Sequence, residues 1–302
     1  MYEYYKKLLI KDKIPDFLIK YLNCPSIIRL KNIGYFCGMD YASKEIYDFG
    51  EYISRYDHSL DVALITWNLT YNKIETISAL FHDVATPCFS HVIDYMNKDY
   101  INQESTEEYT GKIIKNDKYL INLLKEDNID VNDIINFKKY TIVDNERPKL
   151  CSDRLDGVIL TGLFWTKNIT KIDIKNILNH LIVLKNEFNE PELSFNNIAV
   201  ANKVIEVSNS IDLICHSNED NYMMELLAFL TKYLIANNYI NYEDLYTLDE
   251  DDIFNIFDNI NDPYFKEKYN KFKSIKLKDV PYQEMPFVKK RELNLFVDGK
   301  RI

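Results

Sequence analysis

A chain of 302 residues with 46% hydrophobic and 28% charged side chains has the composition of a globular protein with room for a sizeable core. Its net charge of −10 excludes the basic face that nonspecific nucleic-acid binding requires, while leaving room for a local cluster that attracts small anions. Five scattered cysteines (Cys24, Cys37, Cys88, Cys151, Cys215) without CxxC spacing indicate neither a disulfide framework nor a structural zinc site.

Residues 1–7 lack the apolar stretch of a signal peptide, and no window reaches the roughly 18 apolar residues of a membrane span. The expectation is a cytoplasmic protein with no membrane contact. Residues 1–22 carry Leu8, Leu9, Ile14, Phe17, Leu18 and Leu22 in a helical rhythm broken at Pro15. Over 25–50, Gly34, Gly38 and Gly50 mark turns, with short strands expected at 27–30 and 35–37. Helices dominate from Asp57. Leu60, Leu64, Trp67 and Leu69 follow His58 at near-helical spacing and put His58 in a first turn. Asn72-Lys-Ile-Glu75 reads as a capping box, opening a helix with Ile74, Ile77, Leu80 and Phe81 on its apolar face. His82 and Asp83 fall at its end, and Pro87 prevents a simple continuation.

Short helices are expected over 106–114, 118–124 and 131–137. Pro148 stands where a first turn would begin, leading into a helix over 149–165 with Asp153 and Asp156 on one face. The stretch 181–195 around Pro191 is strand-like, as a hairpin. Helices follow over 197–213, 221–236, 249–260 and 263–275, and Asp298-Gly299 reads as a hairpin turn. Nothing divides the chain, so the expectation is one all-α domain over 1–302 with minor β-hairpins. Its metal-binding core would span about 50–165 and a helical extension 166–302.

His58, the adjacent His82-Asp83, and a downstream aspartate can surround one metal with two nitrogens and two oxygens. Such a set suits one divalent ion, Mn, Fe, Ni, Co, Zn or Mg, with identity set by geometry and supply. A metal with an open position polarises a phosphoryl oxygen and acidifies water, and a nearby histidine can protonate a leaving oxygen.

The pattern resembles the HD-domain superfamily of metal-dependent phosphohydrolases, and within it the deoxynucleoside-triphosphate triphosphohydrolases. Arg-x-x-His-Ser of that family is Arg55-Tyr-Asp-His58-Ser59 here. His-Asp-x-Gly-His-x-Pro-Phe-Ser-His-x-x-Asp is His82-Asp-Val-Ala-Thr86-Pro-Cys-Phe-Ser-His91-Val-Ile-Asp94, and Asp-x-x-Asp-Tyr is Asp153-Arg-Leu-Asp156-Gly157. The resemblance implies an HD-type helical fold with His58, His82, Asp83 and Asp153 as ligands. It implies His91 as the acid, Asp94 as its support and Glu104 behind it. Arg55 and Arg154 match phosphate contacts, and a homodimer or larger assembly is implied.

The departures concern the substrate. Thr86 replaces a histidine that assists at the phosphate, Pro87 lies one place early, and Gln103 replaces another active-site histidine. Tyr35, Gly157 and Thr161 stand where the family has sugar-reading Gln, Tyr and Asp; without those partners, sugar discrimination loses its basis. On the residues alone, other readings stay open. Arg55 could pair with Asp57 or Glu51, His91 could sit in the core, and Arg154 could be a solvated helix charge. Glu104 also reads as a helix N-terminal charge, and Asp156 as a cap, an ion-pair partner or a shifted ligand. The expected activity is metal-dependent cleavage of a phosphate ester or anhydride, with a nucleotide as the expected substrate. A true deoxynucleoside-triphosphate triphosphohydrolase, or a degenerate HD module that binds a nucleotide or protein without turnover, are the alternatives.

Overall fold

Helix α4, Arg55–Thr70, runs through the middle of the molecule and is buried on nearly every side from His58 to Thr66. A helix buried all round has neighbours on all faces, and here they are supplied from both directions of the chain. The structure, a computed structural model, describes residues 1–103, 107, 109–284 and 288–302. Ahead of α4 come α1 (Tyr2–Ile10), α2 (Asp16–Ile19) and α3 (Pro25–Arg29). After it follow α5 (Lys73–Phe81), α6 (Val92–Asn97), α7 (Thr110–Asn116), α8 (Lys118–Glu126), α9 (Val131–Ile135) and α10 (Ser152–Phe164). Helix α11 (Lys171–His180) leads into the hairpin β1 (Leu181–Lys185) and β2 (Pro191–Phe195). Then come α12 (Ile198–Cys215), α13 (Asn218–Ala236), α14 (Glu250–Asn259), α15 (Pro263–Ser274) and a last hairpin, β3 (Phe296–Val297) and β4 (Lys300–Arg301).

The fold is thus mostly α, with two small antiparallel hairpins, as the patterning implied. Helices α5, α10 and α1 pack on α4, and α12 covers α10. Buried apolar side chains from Tyr2 to Val297 form one cluster. Among the described residues, no helix is long and apolar enough to cross a membrane.

Several local expectations need correction. Residues 27–30 are helical rather than extended, because Pro25 occupies the first turn of α3 and its fixed φ favours helix there. Residues 35–37 make no strand: a single bridge joins Gly34 to Ser54, and Cys37 and Gly38 then turn the chain at φ of 57° and 75°. Asn72 caps α5 by accepting from the amides of Ile74 and Glu75, but its own N–H goes to the Thr70 hydroxyl, so the box is not reciprocal. Helix α10 starts at Ser152, after Pro148. Its first amides, on Ser152 and Asp153, donate instead to the carbonyls of Ile142 and Val143. The helix expected over 106–114 begins at Thr110, and Thr106 lies outside the described residues.

One buried acid pair links the second half of the chain to the first. A Cβ at Gly34 would lie 2.9 Å from Asp40 Oδ2 and 3.0 Å from Glu250 Oε2, so glycine makes room for both carboxyls. The other Glu250 oxygen accepts from the Phe89 amide at 3.2 Å. Burial, reinforced by the charge of Asp40, raises the Glu250 pKa to about 8, and burial raises Asp40 to about 6. A carboxyl whose folded pKa exceeds its unfolded value stabilises fully at low pH and loses that contribution as pH rises through the folded value. Melting temperature should therefore fall as pH rises from about 4 to about 8, most steeply below about 6, where both carboxyls contribute. In Glu250→Gln much of that slope should vanish; an unchanged slope by circular dichroism would refute the assignment.

Candidate metal centre

The ends of three helices meet at one point. Ser54 caps α4 by accepting from the Asp57 amide while Asp57 accepts from the Ser54 amide, each at 3.1 Å, and this fixes the first turn that carries His58. His82 is the C-cap residue of α5 with Asp83 beside it, and Asp153 lies in the first turn of α10. His58 Nε2 is 3.1 Å from Asp153 Oδ1 and 3.8 Å from Asp83 Oδ2. His82 Nε2 is 3.6 Å from Asp153 Oδ1 and 3.8 Å from Asp83 Oδ1. The donor atoms of His58, His82 and Asp83 lie within 4.8 Å of one another. All four residues singled out as ligands thus come together.

The second nitrogen of each imidazole is committed behind the centre. His82 Nδ1 donates to the Ala79 carbonyl at 2.7 Å, leaving its Nε2 buried and without a hydrogen-bond partner. His58 Nδ1 bonds Asp156 Oδ2 at 2.7 Å, and Tyr5 holds the other Asp156 oxygen from 2.7 Å. Burial opposes charge on His58, yet its bonds to Asp153 and Asp156 outweigh this and raise its pKa to about 10. Asp153, despite burial, is held well below the usual carboxylate range by His58 and His82. Three carboxylates around two imidazoles demand positive charge at their centre. Oriented imidazoles with an orphaned Nε2 and two carboxylates fit a divalent metal for that purpose.

Asp156, which the sequence left between cap, ion pair and ligand, bonds His58 Nδ1 and so orients that imidazole. Asp156→Asn should weaken metal affinity by about 10–100-fold, read by competition with a chromogenic chelator. Unchanged affinity would mean that His58 is oriented by packing alone.

Arg55 does not pair with Asp57 or Glu51. It donates to Asp83 Oδ2 at 2.9 Å and to the Tyr35 carbonyl at 3.3 Å, with its guanidinium over the Tyr35 ring. Asp57 is taken by the cap and Lys6, and Glu51 by the terminal amine. His91 is no core histidine. Positive φ at Phe89 and Ser90 turns the chain ahead of it, and Asp94 takes its Nδ1 at 2.8 Å, leaving Nε2 for a ligand. Burial lowers its pKa despite Asp94, so the ring rests neutral at neutral pH.

Thr86 is not among the cavity-lining residues. Its hydroxyl is buried without a partner, and its carbonyl accepts from Arg29 at 2.9 Å. Arg29 also donates to the carbonyls of Leu248 at 3.0 Å and Leu245 at 2.9 Å. Arg154 turns to its own loop, donating to the carbonyls of Asn145 and Lys149 and pairing with Asp144 at 3.1 Å. Glu104 lies outside the described residues.

Above the centre opens a cavity of about 870 Å³, lined by the four ligand residues with Arg55, His91 and Arg154. Seven cationic side chains line it, and four of these pair with carboxylates: Arg55 with Asp83, Lys138 with Glu107, Lys149 with Glu190 and Arg154 with Asp144. Tyr35 reaches toward α10, and a Cβ at Gly157 would meet its hydroxyl at 3.0 Å. The sequence pattern gives no notice of Arg29, Lys138, Lys149 or the cations of the far wall, Arg147, Lys289 and Arg291. Isolated basic residues in a charge-rich chain carry no periodic or spacing signal.

No family model matches the chain. It is 26% identical over 201 residues to the uncharacterized protein YdhJ of Bacillus subtilis strain 168, a match taking in 66% of this chain and 59% of that protein. Less than two thirds of that relative's length is therefore spanned. A hypothetical protein from Aquifex aeolicus, known from a crystal structure, superposes with a TM-score of 0.63 at 16% identity, over 86% of this chain and 71% of that one. The likeness to the Aquifex protein is one of fold; the histidine–aspartate centre is a property of this chain's own side chains.

Proposed function

We propose that the chain is a metal-dependent phosphohydrolase of the HD-domain kind, cleaving a phosphate ester or anhydride of a nucleotide. The observation that carries this reading is the convergence of His58, His82, Asp83 and Asp153, with both imidazoles oriented from behind, on the floor of a cavity lined by cationic and acidic side chains alike. A divalent metal held there would supply Lewis acidity to a phosphoryl oxygen and to an attacking water. Arg55, fixed by Asp83 and the Tyr35 ring, lies where it can meet phosphoryl charge. His91 rests neutral, takes up a proton as anionic substrate enters, and passes it from Nε2 to the departing oxygen. Asp94 stabilises the imidazolium through Nδ1.

Burial of the Thr86 hydroxyl away from the cavity favours a second reading, a module that binds a nucleotide without cleaving it. One screen separates the two. The purified chain is analysed for bound metal, then offered nucleotides, phosphomonoesters and phosphodiesters in Mn²⁺, Ni²⁺, Co²⁺ and Mg²⁺. Metal near one per chain with product from any member supports the enzyme, and released tripolyphosphate rather than orthophosphate would mark a triphosphohydrolase. Tight binding without product over hours selects the module, and a chain that takes up no metal overturns both.

A further inference from the structure

Three of the cations in the cavity make no ion pair with a carboxylate among the described residues. Arg147 makes no hydrogen bond or ion pair among the described residues. Lys289 donates only to the carbonyl of Asn102, at 2.9 Å. Arg291 touches the Cys215 thiol, and its Nε is sealed from solvent without a hydrogen-bond partner. These groups act on one another. Burial and the charges of Arg291 and Arg154 push Arg147 down to about 10 against the opposing charge of Asp153, and burial with Arg147 and Arg291 lowers Lys289 against Glu107 and Asp94. Arg291 also depresses His91, which puts the cluster beside the proposed acid.

Like charges held together in a partly desolvated wall are costly unless an anion joins them. The wall is nevertheless built to hold them. The Arg291 amide donates to Asp212 Oδ1 at 2.6 Å, and its carbonyl accepts from the Ser208 hydroxyl at 2.5 Å, so α12 clamps the residue from both sides. The Lys289 amide donates to the Tyr100 carbonyl at 2.9 Å, and the Asn294 amide to the Pro148 carbonyl at 3.0 Å, next to Arg147. Segment 288–295 is therefore pinned at four places, with its cations facing the same space as the ligand residues.

We infer that Arg147, Lys289 and Arg291 form a second anion subsite, so that the ligand carries a further phosphate or other anionic group besides the one at the metal centre. The inference rests on the phosphohydrolase reading for what sits at the metal, but not for the subsite itself. Guanidinium groups suit it because their planar donors engage phosphate oxygens in pairs.

The test titrates pyrophosphate and orthophosphate into the metal-loaded full chain by calorimetry, with metal content measured before and after. Pyrophosphate should bind at least about tenfold more tightly than orthophosphate, and Arg147→Gln and Arg291→Gln should each remove about tenfold of that affinity at unchanged metal content. Arg291→Lys should fall between. Arg147→Gln keeps the test sound if an Arg291 variant does not fold, because Arg147 supports no other group; its melting temperature without ligand should stay level or rise. Equal affinities for the two anions, or full pyrophosphate affinity in both glutamine variants, would overturn the subsite. Neither readout needs turnover, so a chain that binds pyrophosphate through these arginines yet hydrolyses nothing would sink the phosphohydrolase reading and leave the subsite standing.

Discussion

His82→Ala and Asp83→Ala should each leave the chain without bound metal and without phosphohydrolase activity, the loss in rate being about 10³-fold or more. The two variants should differ in stability. His82 offers the centre its orphaned Nε2 and otherwise bonds only the Ala79 carbonyl, so its loss removes a ligand and leaves one acceptor short. Asp83 also neutralises the buried Arg55 guanidinium at 2.9 Å. Removing it strands a charge, at a cost of about 3–5 kcal/mol, so Asp83→Ala should melt well below His82→Ala. Asp83→Asn keeps the shape and part of the hydrogen bonding and should sit between them in stability while still losing metal. Elemental analysis, thermal melts and phosphate release, measured on the same preparations, check each of these outcomes. Full metal content in His82→Ala would remove His82 from the ligand set.

Arg29→Met should destabilise the chain from outside the centre. Its guanidinium satisfies the carbonyls of Thr86, Leu245 and Leu248, which belong to two separate segments. The Leu245 and Leu248 carbonyls keep the Cys88 amide and thiol as donors, so among the described residues only the Thr86 carbonyl loses its partner; such a group costs about 1–3 kcal/mol, and a drop of about 2–6 °C in melting temperature is expected. Methionine keeps the bulk and isolates the polar contribution. The effect should reach the chemistry as well, because the segment Arg29 holds continues through Phe89 and Ser90 to His91. Turnover measured well below the melt should therefore fall further than metal content does. A melting shift under about 2 °C would show that water replaces the arginine at these carbonyls.

What could be read from the sequence divides by range. Helices α4, α12, α13, α14 and α15 and both hairpins were legible because apolar period, caps and turn residues act within a few residues of one another. His58, His82, Asp83 and Asp153 were legible as a set through their resemblance to a family pattern, and the structure puts the donor atoms of the first three within 4.8 Å of one another, with Asp153 Oδ1 3.1 Å from His58 Nε2. The strand expected at 27–30 failed because β-branched residues weigh less than a proline in the first helical turn. Arg154 was matched to phosphate by position, yet its guanidinium is spent on the 144–149 loop, whose path no local signal encodes. Arg29, Arg147 and Arg291 were invisible for the same reason. Each owes its role to segments more than fifty residues away.

Tyr35, Gly157 and Thr161 look like three unrelated departures along the chain, but they line one cavity. The Tyr35 hydroxyl lies where a side chain at 157 would begin, 3.0 Å from that missing Cβ, and Thr161 lines the same wall of the cavity. Its ring also rests 5.1 Å from that of His58. Two tyrosines cannot share the space, and with neither present a hole opens beside a ligand. A lineage that carried its aromatic ring on α10 could therefore not exchange these positions one at a time without passing through a crowded or a hollow ancestor. Grafting either the tyrosine or the glycine alone into a protein with the opposite arrangement should damage the recipient more than grafting both.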